Sequence, residues 1–439
     1  MKQLRKYLVL LLLVPAALMQ GQNAKGDSLT LSGILNSVLN DYPSLKKAEK
    51  ELISADAKID LTKTAYLPDV NFSTSYNRIG PISTIAFGGR NLHLYPADMY
   101  NAAFTVNQNM YDFGKTSKNV ALSEESKEMV KLSVEQIKQQ LSTAVMVNYY
   151  TICYLQEAIK IKDDQLNTLN EHLQFVQKKA ASGSATQYEV MTTRVRMSVL
   201  ENQKIDLQTS LQIFVSQLNS FMGKPQGSSP LLRNDIQLQS FLPSVDTLCN
   251  VAFANRNEMK IALQKEAIAK LRLNVTKIQN NPSLNFNASG GYKNGYLNSA
   301  FEDVGKLNFS VGVGLKVPIF DANRSKYTKI QTNADLEGNQ QETELLRRSI
   351  TNEIVESRAN AEAALKKVKQ SELQLQQALQ AYYLAEVSYK AGTVTNLDLL
   401  DSYTAVSESK LALFKTKIDY TVNLQKLKIA VGERIGKDE

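Results

Sequence analysis

Tryptophan is absent from this chain of 439 residues, and proline and cysteine are scarce, with ten and two residues. No proline follows Pro318, so the end of the chain lacks the residue that most often breaks a helix. Beyond residue 24, no apolar run approaches the roughly twenty residues that a transmembrane helix needs. Any later segment that spans a bilayer therefore has to be a β-strand.

The first residues of the chain have the pattern of a secretory signal. They begin with Lys2, Arg5 and Lys6, continue with an apolar stretch up to Leu18, and end in small and polar residues. The apolar stretch is short for a membrane span, so we expect a signal peptide over residues 1–24, with a membrane anchor as the alternative.

Charge, cysteine and histidine usage restrict the function. The net charge is +8, but Lys and Arg alternate with Glu along predicted helices, as on a solvated surface, and we expect no nucleic-acid partner. Cys153 and Cys249 could pair in an exported protein, although two unpaired core thiols are favoured. The two histidines, His93 and His172, are too few and too far apart for a metal site or a triad. The sequence therefore predicts neither an enzyme nor a bound cofactor or metal.

The two halves of the chain have similar sequences. Residues that match between its halves include Pro68 with Pro282, Asp112 with Asp321, and Gly183 with Gly392. The offset falls from 214 to 209 between the first pair and the others, so the first half carries five extra loop residues. We predict an internal duplication, with repeats at 29–225 and 245–435 joined by a linker at 226–244, each ordered helix, strand pair, long helix, helix.

Two very long helices are predicted. Residues 115–182 contain neither glycine nor proline, and 323–390 contain only Gly338. Apolar residues recur mostly every three or four positions, as on a helix with one buried stripe. Such helices would be roughly 100 Å long at 1.5 Å per residue. Four shorter helices are predicted at Leu31–Tyr66, Thr186–Met222, Asp246–Gln279 and Thr395–Val431.

Between the helices the apolar period changes to two. Alternating strands of about ten residues, the length of a tilted transmembrane strand, are predicted at about 68–78, 100–111, 282–292 and 307–319. A soluble sandwich would show the same alternation, but the chain offers no second sheet to cover the apolar faces. Four strands cannot close a barrel, whereas three chains would supply twelve, with the Asn and Ser faces lining the lumen.

Taken together, the sequence resembles the TolC family of trimeric outer membrane efflux channels. The resemblance covers essentially the whole chain after the signal segment. It rests on the duplicated order of elements, the strand entries "YLPDVNFS" and "NPSLNFNAS", the exits "YDFGK" and "IFDANR", and the two glycine turns.

The resemblance implies an α+β membrane protein in the outer membrane of a Gram-negative bacterium. A long α-helical coiled-coil barrel would reach into the periplasm, continuous with a transmembrane β-barrel of four strands per protomer. The homotrimer would contact outer membrane lipid and work with a periplasmic adaptor protein and an inner membrane transporter. The chain would then be the passive exit duct of a tripartite efflux system. A duct for type I protein secretion and a coiled-coil structural protein of the periplasm or cell surface are the alternatives.

The resemblance also implies a functional site at the two glycine turns. Gly183, Gly392, Thr393 and Thr395 would dock the adaptor. Asp398 and Asp401 match a pair of constriction aspartates, Tyr389 matches a tyrosine of the closing network, and Glu189 occupies an acidic position in the first turn. Val394 stands where some members have an arginine, so the polar closure would be weaker or built differently here.

Residue spacing is compatible with this site but does not require it. Residues three apart share a helix face, so Asp398 and Asp401 can both point into a lumen. A structural interpretation stays open, in which Asn396 caps the helix and Asp398 complements its dipole.

Overall fold

The computed structural model of the chain describes residues 29–93, 95–228, 230, 232–233, 236, 242–298 and 302–435. The predicted signal peptide, 1–24, lies outside the described residues, and the predicted linker, 226–244, is described only in part. The helices of the described part are α1 (Leu31–Asp41), α2 (Pro43–Lys63), α3 (Lys115–Ala181), α4 (Gln187–Met222), α5 (Val245–Asn255), α6 (Asn257–Lys277), α7 (Arg324–Lys390) and α8 (Asn396–Ala430).

The two long helices organise the helical part. Helices α3 and α7 have 67 residues each, as the absence of proline predicts. Near the strands α3 packs on α2 and α6, and α6 packs on α7. Towards the other end α3 packs on α4 and α8, and α8 packs on α7. The helices therefore lie side by side, as α2–α3–α6–α7 near the strands and as α4–α3–α8–α7 at the far end, which we call the tip.

Two predicted shorter helices are broken, which corrects the sequence prediction. The stretch Leu31–Tyr66 breaks at Tyr42, which is extended (ψ 130°) because it precedes Pro43. The stretch Asp246–Gln279 breaks at Arg256, which is also extended (ψ 132°).

No proline lies at the second break, which is explained instead by the surroundings of Arg256. Its buried guanidinium donates to Glu353 at 2.6 Å, to Glu258 at 3.2 Å and to the Ala430 carbonyl at 3.3 Å. Burial opposes the charge, yet the two carboxylates raise the pKa of Arg256. Three partners around one buried cation thus hold the junction of α5 and α6 against the end of α8.

The strands form one antiparallel sheet and a separate hairpin. The strands are β1 (Asp69–Arg78), β2 (Thr84–Phe87), β3 (Arg90–His93), β4 (Asp98–Tyr111), β5 (Ser283–Leu297) and β6 (Asp303–Lys316). The sheet has the order β1-β4-β5-β6, and β2 pairs with β3 in the hairpin. Strands β1 and β6 are therefore the edges of the sheet.

The last two strands differ from their predicted limits. Strand β5 runs past residue 292 and β6 begins before 307, because Asp303 accepts hydrogen bonds from Gly295 N at 2.6 Å and Asn294 Nδ2 at 2.9 Å and extends the ladder. Strand β6 ends at Lys316 rather than 319, since Pro318 has no N–H to donate.

The sheet has one apolar and one polar face. The register places Phe72 opposite Phe104, Phe104 opposite Gly290, and Gly290 opposite Phe309, so the apolar residues of all four strands share one face. That face is uncovered in the protomer, with Leu307 and Phe309 86% and 85% exposed. The opposite face carries Asn, Ser, Thr and Lys side chains. Each strand therefore presents an apolar side and a polar side.

The two cysteines are buried and unpaired, as predicted. Burial raises the pKa of the Cys153 thiol to about 12, so it stays protonated and unreactive at neutral pH. Among the residues that the structure describes, no helix is long and apolar enough to cross a membrane.

Candidate functional site at the helical tip

Both helical hairpins reverse direction at the tip through turns of the same construction. Gly183 and Gly392 have φ of 76° and 78°, a left-handed conformation that favours glycine. In the first turn Ser184 N donates to the Lys179 carbonyl at 2.8 Å, and in the second Thr393 N donates to the Ser388 carbonyl at 2.9 Å. These bonds close a helix end in a Schellman motif. Glycine therefore stands at each of these positions because the turn requires a left-handed backbone conformation there.

A capping box starts each returning helix. Thr186 and Thr395 are the N-caps of α4 and α8, and their hydroxyls accept from the backbone N–H of Glu189 and Asp398. This corrects the expectation that Asn396 is the cap, since Asn396 is the first helical residue and is buried. Asp398 accepts from the Thr395 hydroxyl at 2.6 Å and its backbone N–H at 2.9 Å. These hydrogen bonds lower the pKa of Asp398 and keep it charged at neutral pH.

Two of the predicted site residues, Tyr389 and Glu189, are in contact. The Tyr389 phenol donates to Glu189 Oε2 at 3.4 Å and connects α7 of one hairpin with α4 of the other. Burial and then the negative charge of Glu189 raise the pKa of Tyr389. The phenol is therefore a neutral donor at physiological pH.

Three residues that the sequence did not single out for this site surround Tyr389. The ring of Tyr389 packs on His172 and Phe175, with centroids 5.8 and 6.5 Å apart, and the Lys179 ammonium lies 4.9 Å from the ring centroid. His172 Nε2 also lies 2.6 Å from Asn396 Oδ1, which links α3 to α8. These residues lie in the last turns of α3, close to the predicted turn at Gly183. This position is their one sequence signal.

The two predicted constriction aspartates have different partners. Asp398 is engaged in the capping box, whereas Asp401 Oδ1 accepts from Arg196 Nη2 of α4 at 2.6 Å. Arg196 was not predicted. It occupies the tenth position of α4 and Asp401 the sixth position of α8, and both helices start at the tip, so the two heights differ by about one helical turn.

The proposed docking residues are on the surface of the tip. Gly183, Gly392, Thr393 and Thr395 are all exposed, and Val394 is half-buried between them. Within the described ranges no group of three or more His, Cys, Asp or Glu side chains could hold a metal ion. The chemistry of the tip is thus that of exposed turns, carboxylates and links between hairpins.

The sequence and the fold both match known proteins. The family model described as outer membrane efflux protein matches residues 34–224 and 248–433. The alkaline protease secretion protein AprF of Pseudomonas aeruginosa is 22% identical over 341 residues, covering 76% of this chain and 70% of AprF. The outer membrane protein TolC of Escherichia coli is 19% identical over 402 residues, covering 89% of this chain and 79% of TolC. The crystal structure of the outer membrane protein VceC of Vibrio cholerae matches with a TM-score of 0.75 and 19% identity, covering 92% of this chain and 96% of VceC.

The match with the family model spans most of both halves, and the chain belongs to the outer membrane efflux protein family. The resemblance to the TolC family is therefore confirmed. The protein is an exit duct for efflux in the outer membrane of a Gram-negative bacterium, and its family consists of transport ducts rather than enzymes.

Proposed function

We propose that three copies of the chain close into one continuous duct, with a β-barrel in the outer membrane and a helical barrel in the periplasm. The observation that carries this proposal is the open sheet. One protomer has four strands with edges at β1 and β6, and its apolar face is uncovered. Unpaired strand edges are not tolerated in lipid. Pairing β6 of each copy with β1 of the next gives twelve strands, with the apolar face towards outer membrane lipid and the polar face towards the lumen.

The helical part supports the same closure. In the row α4–α3–α8–α7, the outer helices carry apolar residues on sides turned away from their own neighbours. Each of these residues is more than half exposed: Tyr188, Met191 and Val195 on α4, and Tyr383, Leu384 and Val387 on α7. Both stripes lie in the turns next to the tip, at matching heights. Contact between α4 of one copy and α7 of the next would bury both stripes along the same seam that joins the strands.

The duplicated design fits this assembly. We infer that residues 29–225 and 245–435 are two repeats of one unit, joined by 226–244, because each half follows the same order of elements apart from the hairpin β2–β3 in the first half. Two similar units per copy would give the trimer six nearly equivalent positions around its axis. The two glycine turns, with their equivalent hydrogen bonds, would then alternate around the tip.

At the tip we propose a constriction and a docking surface. Asp398, Asp401, Tyr389 and Glu189 would form the constriction, with Asp398 of each copy facing the lumen. The exposed turns at Gly183 and at Gly392, Thr393 and Thr395 would receive a periplasmic adaptor. An inner membrane transporter would supply the energy, since the duct contributes shape and charge alone.

The cargo class has two candidates. The description of the family as outer membrane efflux proteins makes small solutes the first candidate. The relative AprF is described as a secretion protein for alkaline protease, so protein cargo is the specific second candidate. The polar Asn and Ser surface that would line the barrel favours neither.

Conductance of the purified protein in planar bilayers tests the duct. We expect discrete channel currents from the wild type. Val195→Asp places a charge in the seam between copies and should abolish them, whereas Arg194→Asp introduces the same carboxylate on another side of α4 and should preserve them. Equal currents from both variants would place the seam elsewhere, and a wild type without currents would refute the duct.

A further inference from the structure

We propose that Arg196 is a built-in counter-ion that removes Asp401 from the charge of the constriction, so that of the two aspartates only Asp398 contributes to the electrostatic selectivity of the pore. This inference rests on the proposed constriction at the tip and specifies its charge. A pair of aspartates in each of three copies would otherwise give six negative charges in one narrow ring.

The contact itself is short and direct. Arg196 Nη2 lies 2.6 Å from Asp401 Oδ1, the distance of a charge-assisted hydrogen bond. The Arg196 side chain is 28% exposed, whereas that of Asp401 is 61% exposed. The guanidinium is thus packed against the protein and approaches a carboxylate that remains open to solvent.

Helices α4 and α8 belong to different hairpins, and the side chains of Arg196 and Asp401 connect them. Helix α4 packs mainly on α3, and α8 packs mainly on α7 and α3. Arg196 therefore reaches from one hairpin to the other. An arginine keeps its charge at any physiological pH, so the neutralisation is permanent while the hairpins stay together.

Among the residues that the structure describes, Asp398 has no such counter-ion. Its carboxylate accepts hydrogen bonds from Thr395, which carries no charge. The three side chains of each copy then sum to −1, because Asp398 and Asp401 contribute −2 and Arg196 contributes +1. Three copies would carry −3 from these side chains rather than −6, and Glu189 contributes equally with or without Arg196.

Block of single-channel current by spermidine, added to the side of the tip, measures this charge. Spermidine is a trivalent cation without vacant coordination sites, so it reports electrostatics rather than ligation. Arg196→Gln should add one negative charge per copy and tighten the block roughly tenfold or more at low ionic strength. Asp401→Asn leaves Arg196 uncompensated, cancels the charge of Asp398, and should weaken the block by a similar factor.

The double variant Arg196→Gln with Asp401→Asn is the decisive measurement. It restores a charge of −1 per copy, so its block should return to within about twofold of the wild type. Arg196→Lys keeps the charge and should also remain near the wild type. The matched control Arg194→Gln removes an exposed arginine from another side of α4 and should change nothing.

The outcomes separate this inference from the proposed constriction. If Asp398→Asn weakens the block while Arg196→Gln has no effect, the constriction stands and the counter-ion role of Arg196 is refuted. If Asp398→Asn, Asp401→Asn and Arg196→Gln all leave the block unchanged, the constriction proposal itself is wrong. Equal tightening by Arg194→Gln and Arg196→Gln would attribute the effect to general surface charge and would also refute the inference. Each variant is first shown to have the same oligomeric state as the wild type and to form conducting channels.

Discussion

The phenol of Tyr389 donates a hydrogen bond to a carboxylate oxygen of Glu189 across 3.4 Å, and the two residues belong to different helical hairpins. Tyr389 is buried, and its ring is covered by His172, Phe175 and the Lys179 ammonium. The hydrogen bond and the ring contacts together hold the second hairpin against the first at the tip.

Tyr389→Phe should loosen this link without emptying the space around it. The variant keeps the ring but loses the donor, at a cost of up to about 1 kcal/mol for a long, partly buried hydrogen bond. We expect faster amide hydrogen exchange in the turn after α7 and a higher open probability in planar bilayers. Tyr382→Phe removes a hydroxyl from the same helix two turns earlier and is the control. The same response in both variants would show that the contact with Glu189 is not the cause.

The cap of α8 should respond to acid through Asp398. Its pKa is lowered in the folded chain, so its stabilisation is complete above the ordinary value of 3.8 and is lost as the pH falls through the lowered folded value. Amide hydrogen exchange at residues 395–400, corrected for the intrinsic rate, should therefore accelerate over that acidic range. Asp398→Asn should abolish this pH dependence, whereas Asp401→Asn should leave it in place. A wild type without acid sensitivity in this segment would argue against the cap.

Gly392→Val should remove adaptor binding and efflux while the trimer persists. A β-branched residue at φ 78° strains the turn by about 1–3 kcal/mol. Gly338→Ala is the control, because Gly338 lies inside α7 and an added Cβ meets nothing within 4 Å, so this change should stabilise the helix by about 0.5–1 kcal/mol. Adaptor capture by the purified protein and its oligomeric mass decide the outcome. Loss of the trimer in Gly392→Val would place that turn at a contact between copies.

The two faces of β6 should respond differently to an introduced lysine. Phe309 lies on the apolar face and Ser310 on the polar face. Phe309→Lys should destabilise the folded barrel by about 2–4 kcal/mol, since a lysine would face hydrocarbon, whereas Ser310→Lys should be tolerated in an aqueous lumen. Folding yield into liposomes from urea measures the difference. Equal yields would mean that the apolar face does not meet lipid.

Much of the fold follows from the sequence because its signals are local. Helix α3 follows from residues 115–182, which lack glycine and proline, and α7 follows from residues 323–390, which lack proline and contain only Gly338. The glycine turns follow from the need for a positive φ at Gly183 and Gly392. The first break is local too, since Pro43 is visible in the sequence, although its effect on Tyr42 was missed.

Tertiary contacts decide what was not predicted. The break at Arg256 depends on Glu353 and on the Ala430 carbonyl, which lie far away in the sequence. The contact of His172 with Asn396 requires the relative placement of two hairpins, which no periodicity contains. The pairing of Arg196 with Asp401 could have been anticipated only by counting residues from each turn, and only to within one helical turn.

The number of chains in the assembly tests the central claim most directly. Native mass spectrometry of the protein released from detergent micelles should give three chains, and the currents in planar bilayers should come from that species. Cys153 and Cys249 are buried and unpaired, so disulfide-linked artefacts are not expected. A single chain that remains folded in detergent-free buffer, with Leu307 and Phe309 protected from solvent, would contradict the account.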